Sequence, residues 1–508
     1  MITNLVDKAL NKVENVGNKL PDPTTIFIIL TFAILAISWL FSFIGVSAVH
    51  PATKETILIE NLLSSGNIQR IFTEMVHNFA NFPPLGMVLV TVVGIGIAEK
   101  SGLIDTALKK LVTAVPKSAL TATLVFGGIS SSMAADAGYI VLTPLGAVLF
   151  AGFGRHPLAG LAAAFAGVSA GFSANLLLTS LDPLLSGLST TSAQIVDPNY
   201  EVHPTANYYF MIVSTFLLTI VGTLVTDKIV EPRLGKWEPK DTKLDTTLGK
   251  ISSKENKGLI LSIIAFIAFM VVTAIMVIPE GAILRDAQGG LGPFYKSLVP
   301  LIMILFLVCG LVYGITAGTI KSDKDAVGMA NEYMATMAAY IILSFVAAQF
   351  VTFFSWSNMG IVSAIKGAGF LQAIGLSGIP LMIGFIFVTG TINIFIGSAS
   401  AKWAIMGPVF IPMFMLMGFS PEMVQNVYRV GDSVTNIISP LLPYFPIIIA
   451  FAKKYDPKIG LGTLISTMLP YSVAFAIMWS IVLAVWMLTG LPLGPEAPSF
   501  YDASQLSN

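Results

Sequence analysis

Ala399-Ser400-Ala401-Lys402-Trp403-Ala404-Ile405-Met406-Gly407-Pro408 has a weakened counterpart in Ala135-Asp136-Ala137-Gly138-Tyr139-Ile140-Val141-Leu142-Thr143-Pro144. The interval from Pro144 to Pro408 also separates Gly154-Arg155-His156-Pro157 from Gly418-Phe419-Ser420-Pro421. Slightly further on, Gly171-Phe172-Ser173-Ala174-Asn175 resembles Gly431-Asp432-Ser433-Val434-Thr435-Asn436 with a small change of length. Matches kept in one order predict a chain of two related halves. Each half pairs a Gly- and Ser-rich apolar segment with a hydrophobic segment interrupted at its centre.

The surrounding chain is built for lipid. Of its 508 residues 55% are hydrophobic and 11% charged, and the mean hydropathy is +0.81. A soluble domain carries about 25% charged residues, so this chain is too apolar to present a water-soluble surface. Lys+Arg and Asp+Glu both total 28, which gives no reason to expect nucleic acid or another polyanion as partner. The single Cys309 excludes an intrachain disulfide framework. No H-E-x-x-H, G-x-S-x-G or phosphate-loop pattern occurs, so neither an enzyme nor an ATP-driven pump is expected.

Nine stretches read as spans: 25–46, 84–98, 157–181, 207–229, 258–278, 297–318, 331–352, 421–450 and 461–489. Two more apolar regions, 118–150 and 378–415, have small polar centres and read as hairpins that enter and leave on one side. The first run lies behind Lys8, Lys12 and Lys19 and is too long for a signal-peptide core, so it is expected to be retained. Basic residues crowd the segment 227–257 and recur at Lys100, Lys109, Lys110 and Lys117, at Lys321 and Lys324, and at Lys453, Lys454 and Lys458. The alternate loops and the C-terminal tail are poor in base. The positive-inside rule then places the N-terminus in the cytoplasm and the C-terminus outside. The expected fold is an all-α polytopic membrane protein: an inverted repeat of nine transmembrane helices and two re-entrant hairpins. Its parts would be a cytoplasmic segment 1–24, a first repeat 25–229, a connector 230–296, a second repeat 297–489 and an external tail 490–508. Inverted repeats with broken helices are a transporter plan, with the cargo where the halves meet.

Chemistry is expected at the interruptions. The first tip carries Ser132 and Asp136, the second Asn393 and Ser400. Their oxygens suit a hard cation such as Na⁺ or a polar cargo group, although small residues also permit close helix packing. Asn175 and Asn436 lie in the interrupted centres, where an unwound helix frees carbonyls and exposes a half-helix N-terminus. Arg429 and Asp432 are three residues apart on one helix face. They read either as a pair that locks the helix, or as a guanidinium for a cargo carboxylate beside an acid for a cation or proton. Asp182 reads as a helix-end residue in water or as part of the site. Trp403 reads as an interfacial anchor or as a wall for an aromatic cargo.

The sequence resembles the AbgT family of p-aminobenzoyl-glutamate transporters over essentially its whole length. The resemblance rests on Gly154-Arg155-His156-Pro157-Leu158-Ala159-Gly160, Phe172-Ser173-Ala174-Asn175-Leu176-Leu177, the run 226–235, Trp356-Ser357-Asn358-Met359-Gly360, Ser400-Ala401-Lys402-Trp403-Ala404, the run 410–419 and Arg429-Val430-Gly431-Asp432-Ser433. It implies a homodimer whose protomers have nine spans and two hairpins. It also implies ion-coupled transport of folate-related aromatic amides, with export of sulfonamide antimetabolites in some members. By the same resemblance Asn393 and Asp432 match sodium-site positions. Asp182, Ser400, Trp403, Pro421 and Arg429 match positions tied to cargo passage. No cofactor is expected beyond a coupling ion, Na⁺ or a proton. The rival readings are a carrier of another small carboxylate, such as a dicarboxylate, and an ion channel.

Overall fold

The computed structural model describes residues 21–49, 54–114, 116–133, 138–237, 251–440 and 442–502. Asp136 at the first tip, Lys240, Lys243 and Lys250 of the basic loop, and both ends of the chain lie outside the described residues. Helices dominate, because in lipid a helix satisfies its backbone groups internally. Among the described residues eight helices are long and apolar enough to cross a membrane, or nine if the bent pair Leu103–Thr113 and Lys117–Ser130 is one span. The protein is an integral membrane protein with an inverted repeat.

The first half contains α1 (Pro23–Ile44), a short hairpin of β1 (Ser47–Val49) and β2 (Thr56–Leu58), α2 (Ser65–Ala80), α3 (Pro83–Lys100) and the amphipathic α4 (Leu103–Thr113). Then come the hairpin arms α5 (Leu120–Ser130) and α6 (Thr143–Gly152), α7 (Pro157–Phe165), α8 (Leu181–Ala193) and α9 (Tyr208–Val225). A connector, α10 (Ser253–Val277), leads to α11 (Leu298–Ala317), α12 (Asp323–Ala335), α13 (Ala338–Trp356) and α14 (Met359–Ala373). The second hairpin is α15 (Gly378–Phe395) and α16 (Ala399–Met415), followed by α17 (Pro421–Asn436), α18 (Phe445–Lys453) and α19 (Leu461–Thr489).

Three expected spans differ in detail. The stretch 331–352 is shared by two helices, α12 and α13. The stretch 157–181 is α7 with a π-helical turn Ala166–Ala170, and the helix resumes at Leu181 with Pro183 in its first turn. The stretch 421–450 stops at Asn436 and resumes at Phe445, with Pro446 in the first turn. A proline there needs no N–H partner and presets the helical φ, so it restarts a helix where the preceding backbone left one.

Glycines bring each hairpin onto its broken helix. A Cβ at Gly167 would lie 2.4 Å from the Val125 carbonyl oxygen, and one at Gly431 would lie 2.6 Å from that of Ile386. Gly167 and Gly431 are separated by the same interval as Pro157 and Pro421. The two broken helices therefore register without a gap at this contact, and Gly171, the sequence-based counterpart of Gly431, sits one turn later.

The two ends of the molecule are fastened differently. At the base-rich end the Arg155 guanidinium stacks 3.9 Å over the Phe150 ring, pairs with Asp227 at 2.6 Å and with Glu231, and donates to Thr121 Oγ1 at 2.7 Å. One side chain thus ties both arms of the first hairpin to the end of α9. Burial holds the neighbouring His156 imidazole below its ordinary pKa, and its Nδ1 accepts from the Leu158 N–H at 3.3 Å. At the base-poor end, residues 491–501 fold back over the start of α17, where Tyr501 N donates to Gly418 O at 2.9 Å.

Candidate functional site

The site is assembled on α17. Its first turn is capped by Ser420, whose Oγ accepts from Met423 N at 3.1 Å, and Pro421 is buried at its first position. Nearly all of the helix is buried, its charges included. An ionised group in such a place needs a partner, and Arg429 and Asp432 each have one of opposite charge from a different element.

Arg429 pairs with Asp182, not with Asp432. Its Nη1 donates to Asp182 Oδ1 at 2.6 Å, and the two side chains are 2% and 0% exposed. The other oxygen of Asp182 accepts from the Thr179 N–H at 2.6 Å and hydroxyl at 2.9 Å, so a helix restart in the first half presents the carboxylate to the second. Asp182 is fully buried, and the water-exposed helix-end reading is set aside.

Asp432 pairs with Lys402, a residue whose role the sequence alone does not single out. Lys402 Nζ donates to Asp432 Oδ1 and to Asn393 Oδ1, and its side chain is wholly buried. Asn393 Nδ2 faces the Asp432 carbonyl at 2.8 Å, Thr435 Oγ1 at 2.8 Å and Asn436 Oδ1 at 2.7 Å. Those acceptors turn the Asn393 Oδ1 toward the ammonium. A cation therefore sits between an amide oxygen and a carboxylate oxygen, and it belongs to the chain itself. Elsewhere Arg155 pairs with Asp227 and Glu231.

The remaining positions are distributed around these pairs. Trp403 is buried, stacked on Tyr428 with ring centroids 4.4 Å apart, and its Nε1–H donates to Ser189 Oγ at 2.9 Å. Ser400 lies in the first turn of α16, with its hydroxyl 3.2 Å from that of Ser398. In the first half, Asn175 Nδ2 donates to Ser132 Oγ at 3.0 Å and to the Ser130 carbonyl at 3.3 Å, while its Oδ1 accepts from Leu176 and Leu177 N–H. Ser132 and Asn175 thus stitch the first tip to the first break. Asn436 Nδ2 reaches the Ser169 carbonyl at 3.4 Å, joining the two breaks.

Several buried polar atoms near these pairs have no hydrogen-bond partner: Asn426 Nδ2, Arg429 Nε, Ser433 Oγ, Ser169 Oγ and Ser173 Oγ. Asn426, Arg429 and Ser433 are three and four residues apart, hence on one face of α17. Unpartnered groups at such depth are rare in structural cores and suit a polar ligand.

Two inverted units, each a hairpin set on a broken helix and meeting around buried charges, define a membrane transporter. The chain belongs to the AbgT putative transporter family, whose model matches residues 8–501. It is 40% identical over 487 residues to the p-aminobenzoyl-glutamate transport protein of Escherichia coli K12, covering 95% of each chain. Its fold is similar to that of the YdaH transporter of Alcanivorax borkumensis (TM-score 0.89, 43% identity, 94% of this chain and 100% of that one). It is also similar to MtrF of Neisseria gonorrhoeae, one of a class of antimetabolite efflux pumps (TM-score 0.92, 45% identity, 96% and 100%). The protein is a transporter of this family and not an enzyme.

Proposed function

We propose that this protein is an ion-coupled secondary transporter of p-aminobenzoyl-glutamate or a related aromatic amide, sulfonamide antimetabolites included. It works in a bacterial inner membrane as a homodimer, with the N-terminus cytoplasmic and the C-terminal segment outside. The names of the Escherichia coli and gonococcal relatives support the cargo class.

The observation that carries the reading is the Asp182–Arg429 pair. Asp182 occupies the guanidinium as a cargo carboxylate would. When the cargo arrives, its carboxylate displaces Asp182 and meets the Arg429 Nε–H, with Asn426 and Ser433 on the same face. Trp403 and Tyr428 supply the aromatic surface for the benzoyl ring.

Lys402 stands in the same relation to the coupling ion. Asn393 Oδ1 and Asp432 Oδ1 are the oxygen types a hard cation takes, and a Na⁺ binds there when the ammonium leaves. Asn436 orients Asn393, while Ser132 and Asn175 keep the first tip in shape. Ser400 and Pro421 set the second hairpin and the start of α17 along the cargo path.

Counterflow in proteoliposomes tests the proposal. Labelled p-aminobenzoyl-glutamate should exchange saturably against internal unlabelled cargo and accumulate under an imposed Na⁺ or proton gradient. Flux that never saturates would mean a channel. Saturable flux of an aliphatic dicarboxylate, with no exchange of aromatic amides, would replace the cargo.

A further inference from the structure

Glu422 is a buried acid that the cargo and cation sites do not use. It lies in the first turn of α17 and is 2% exposed. The Tyr200 hydroxyl donates to its Oε2 at 2.9 Å. Among the described residues no Lys, Arg or His forms an ion pair with it.

Other titratable groups lie on the neighbouring elements. The α8–α9 connection brings Tyr200, Asp197, the exposed Glu201 and His203. Asp197 accepts from the Tyr501 hydroxyl at 3.1 Å, and the His203 ring stacks on Tyr295 with centroids 5.2 Å apart, while the C-terminal segment brings Glu496 and Asp502. Arg429 of α17 is held by Asp182 of α8, and Lys402 of α16 by Asp432. Helices α15 and α19 contain no charged residue.

The C-terminal strap lies against the residues around Glu422. Ser420 N donates to Ser499 O at 3.4 Å, the Tyr209 and Phe210 N–H groups donate to Leu493 O, and the Tyr501 ring meets the Tyr200 ring at 5.6 Å. Inward, four hydrogen bonds run from the second hairpin to this carboxylate's own residue, all in one direction. Trp403 Nε1 donates to Ser189 Oγ at 2.9 Å, and Ser189 Oγ to Gln425 Oε1 at 2.6 Å. Gln425 Nε2 then donates to Asn207 Oδ1 at 2.8 Å, and Asn207 Nδ2 to the Glu422 carbonyl at 2.9 Å. An indole N–H can only donate, so Trp403 fixes the direction of the chain.

We infer that Glu422 is a proton-binding site beneath the strap, so that opening of the base-poor mouth releases one proton to the solution it faces. The helix N-terminus and the Tyr200 phenol favour the carboxylate, whereas burial without a counter-cation favours the neutral acid. Lifting the strap admits water and tips this balance toward the anion. Closing it returns the proton. The inference rests on the reading of the protein as a transporter whose mouths open in turn.

A thiol under the strap reads the opening directly. Ser499 is buried, with its hydroxyl donating to Leu491 O at 2.6 Å, and the native Cys309 is buried and separate. The probe is a membrane-permeant maleimide on the full chain carrying Ser499→Cys, in liposomes at equal pH on both faces. Alkylation is compared with and without Glu422→Gln, which cancels the thiol's own titration. Above the ordinary carboxylate range, about pH 4.3, the rate without this substitution divided by the rate with it should climb with pH by up to about tenfold per unit, and level off once the buried acid has ionised. A flat ratio would overturn the inference. Tyr200→Phe provides a second test that keeps the acid. Loss of a donor to the anion should move the midpoint of the opening up by about one unit, and an unmoved midpoint would equally overturn it. The assay needs neither cargo nor a gradient, so an absent counterflow would defeat the transporter reading without touching this result.

Discussion

Gly138 and Val168 in the first half are separated from Lys402 and Asp432 in the second by one and the same interval, that of Pro157 and Pro421. The two pairs are also in equivalent contact. A Cβ at Gly138 would lie 2.9 Å from Val168 Cγ2, where the second half has its buried ion pair. Phe165 and Ile129 fall likewise on Arg429 and Asn393. The halves share a scaffold and differ in charge: the second carries ionic groups at these positions of its hairpin and broken helix, and the first, among the described residues, answers with apolar contacts there and with Asp182 from α8. A duplicated frame can thus keep one copy as support and use the other for cargo. The fastening agrees, since Arg155 clamps the first hairpin to its surroundings.

The comparison breaks most visibly if the two built-in partners are removed. Asp182→Ala leaves Arg429 buried and unpaired, and Lys402→Met does the same to Asp432; each should cost about 3–5 kcal/mol in thermal or denaturant unfolding. The losses should be repaired selectively. Millimolar p-aminobenzoyl-glutamate should restabilise Asp182→Ala, and Na⁺ should restabilise Lys402→Met, because a ligand bound only to the folded state adds stability by mass action. Repair of neither variant by its ligand would show that the pairs are only structural.

Arg429→Lys is expected to be next. It keeps the charge and loses the planar fork, so saturable counterflow should fall by roughly a hundredfold, a change of about 3 kcal/mol, while membrane insertion is retained. Near-normal exchange would return Arg429 to a purely structural role.

Asn175→Ala and Asn393→Ala sharpen the contrast between the halves. Both should lose about 1–3 kcal/mol of stability from unpaired buried groups. Only Asn393→Ala should alter the dependence of accumulation on the imposed cation gradient. An equal effect from Asn175→Ala would place an ion site in the first half as well.

Much of the plan was legible in the sequence, because prolines, glycines and apolar runs mark where helices stop in lipid. The two hairpins and two broken helices follow from such marks. So does the importance of Arg429 and Asp432, since charge inside an apolar span must be answered. The answers themselves were hidden. The spacing of Arg429 and Asp432 suggests that they meet, yet each turns to an element remote in sequence, Asp182 or Lys402, and no local rule links them. Lys402 did leave a signal: a lone cation inside Ala-Ser-Ala-Lys-Trp-Ala, next to a tip bearing Asn393. Glu422 carries no such mark, since an acid in a first helical turn is common in water as well, and its burial is visible only in the structure.

The claim at the centre of this account is that Asp182 is a tethered competitor of the cargo for Arg429. Calorimetric titration of p-aminobenzoyl-glutamate into the wild type, Asp182→Ala and Arg429→Lys, each in lipid nanodiscs, measures it directly. The account predicts tighter binding than the wild type for Asp182→Ala, and binding weaker by at least about tenfold, or about 1.4 kcal/mol, for Arg429→Lys. Equal affinity in all three proteins would contradict it.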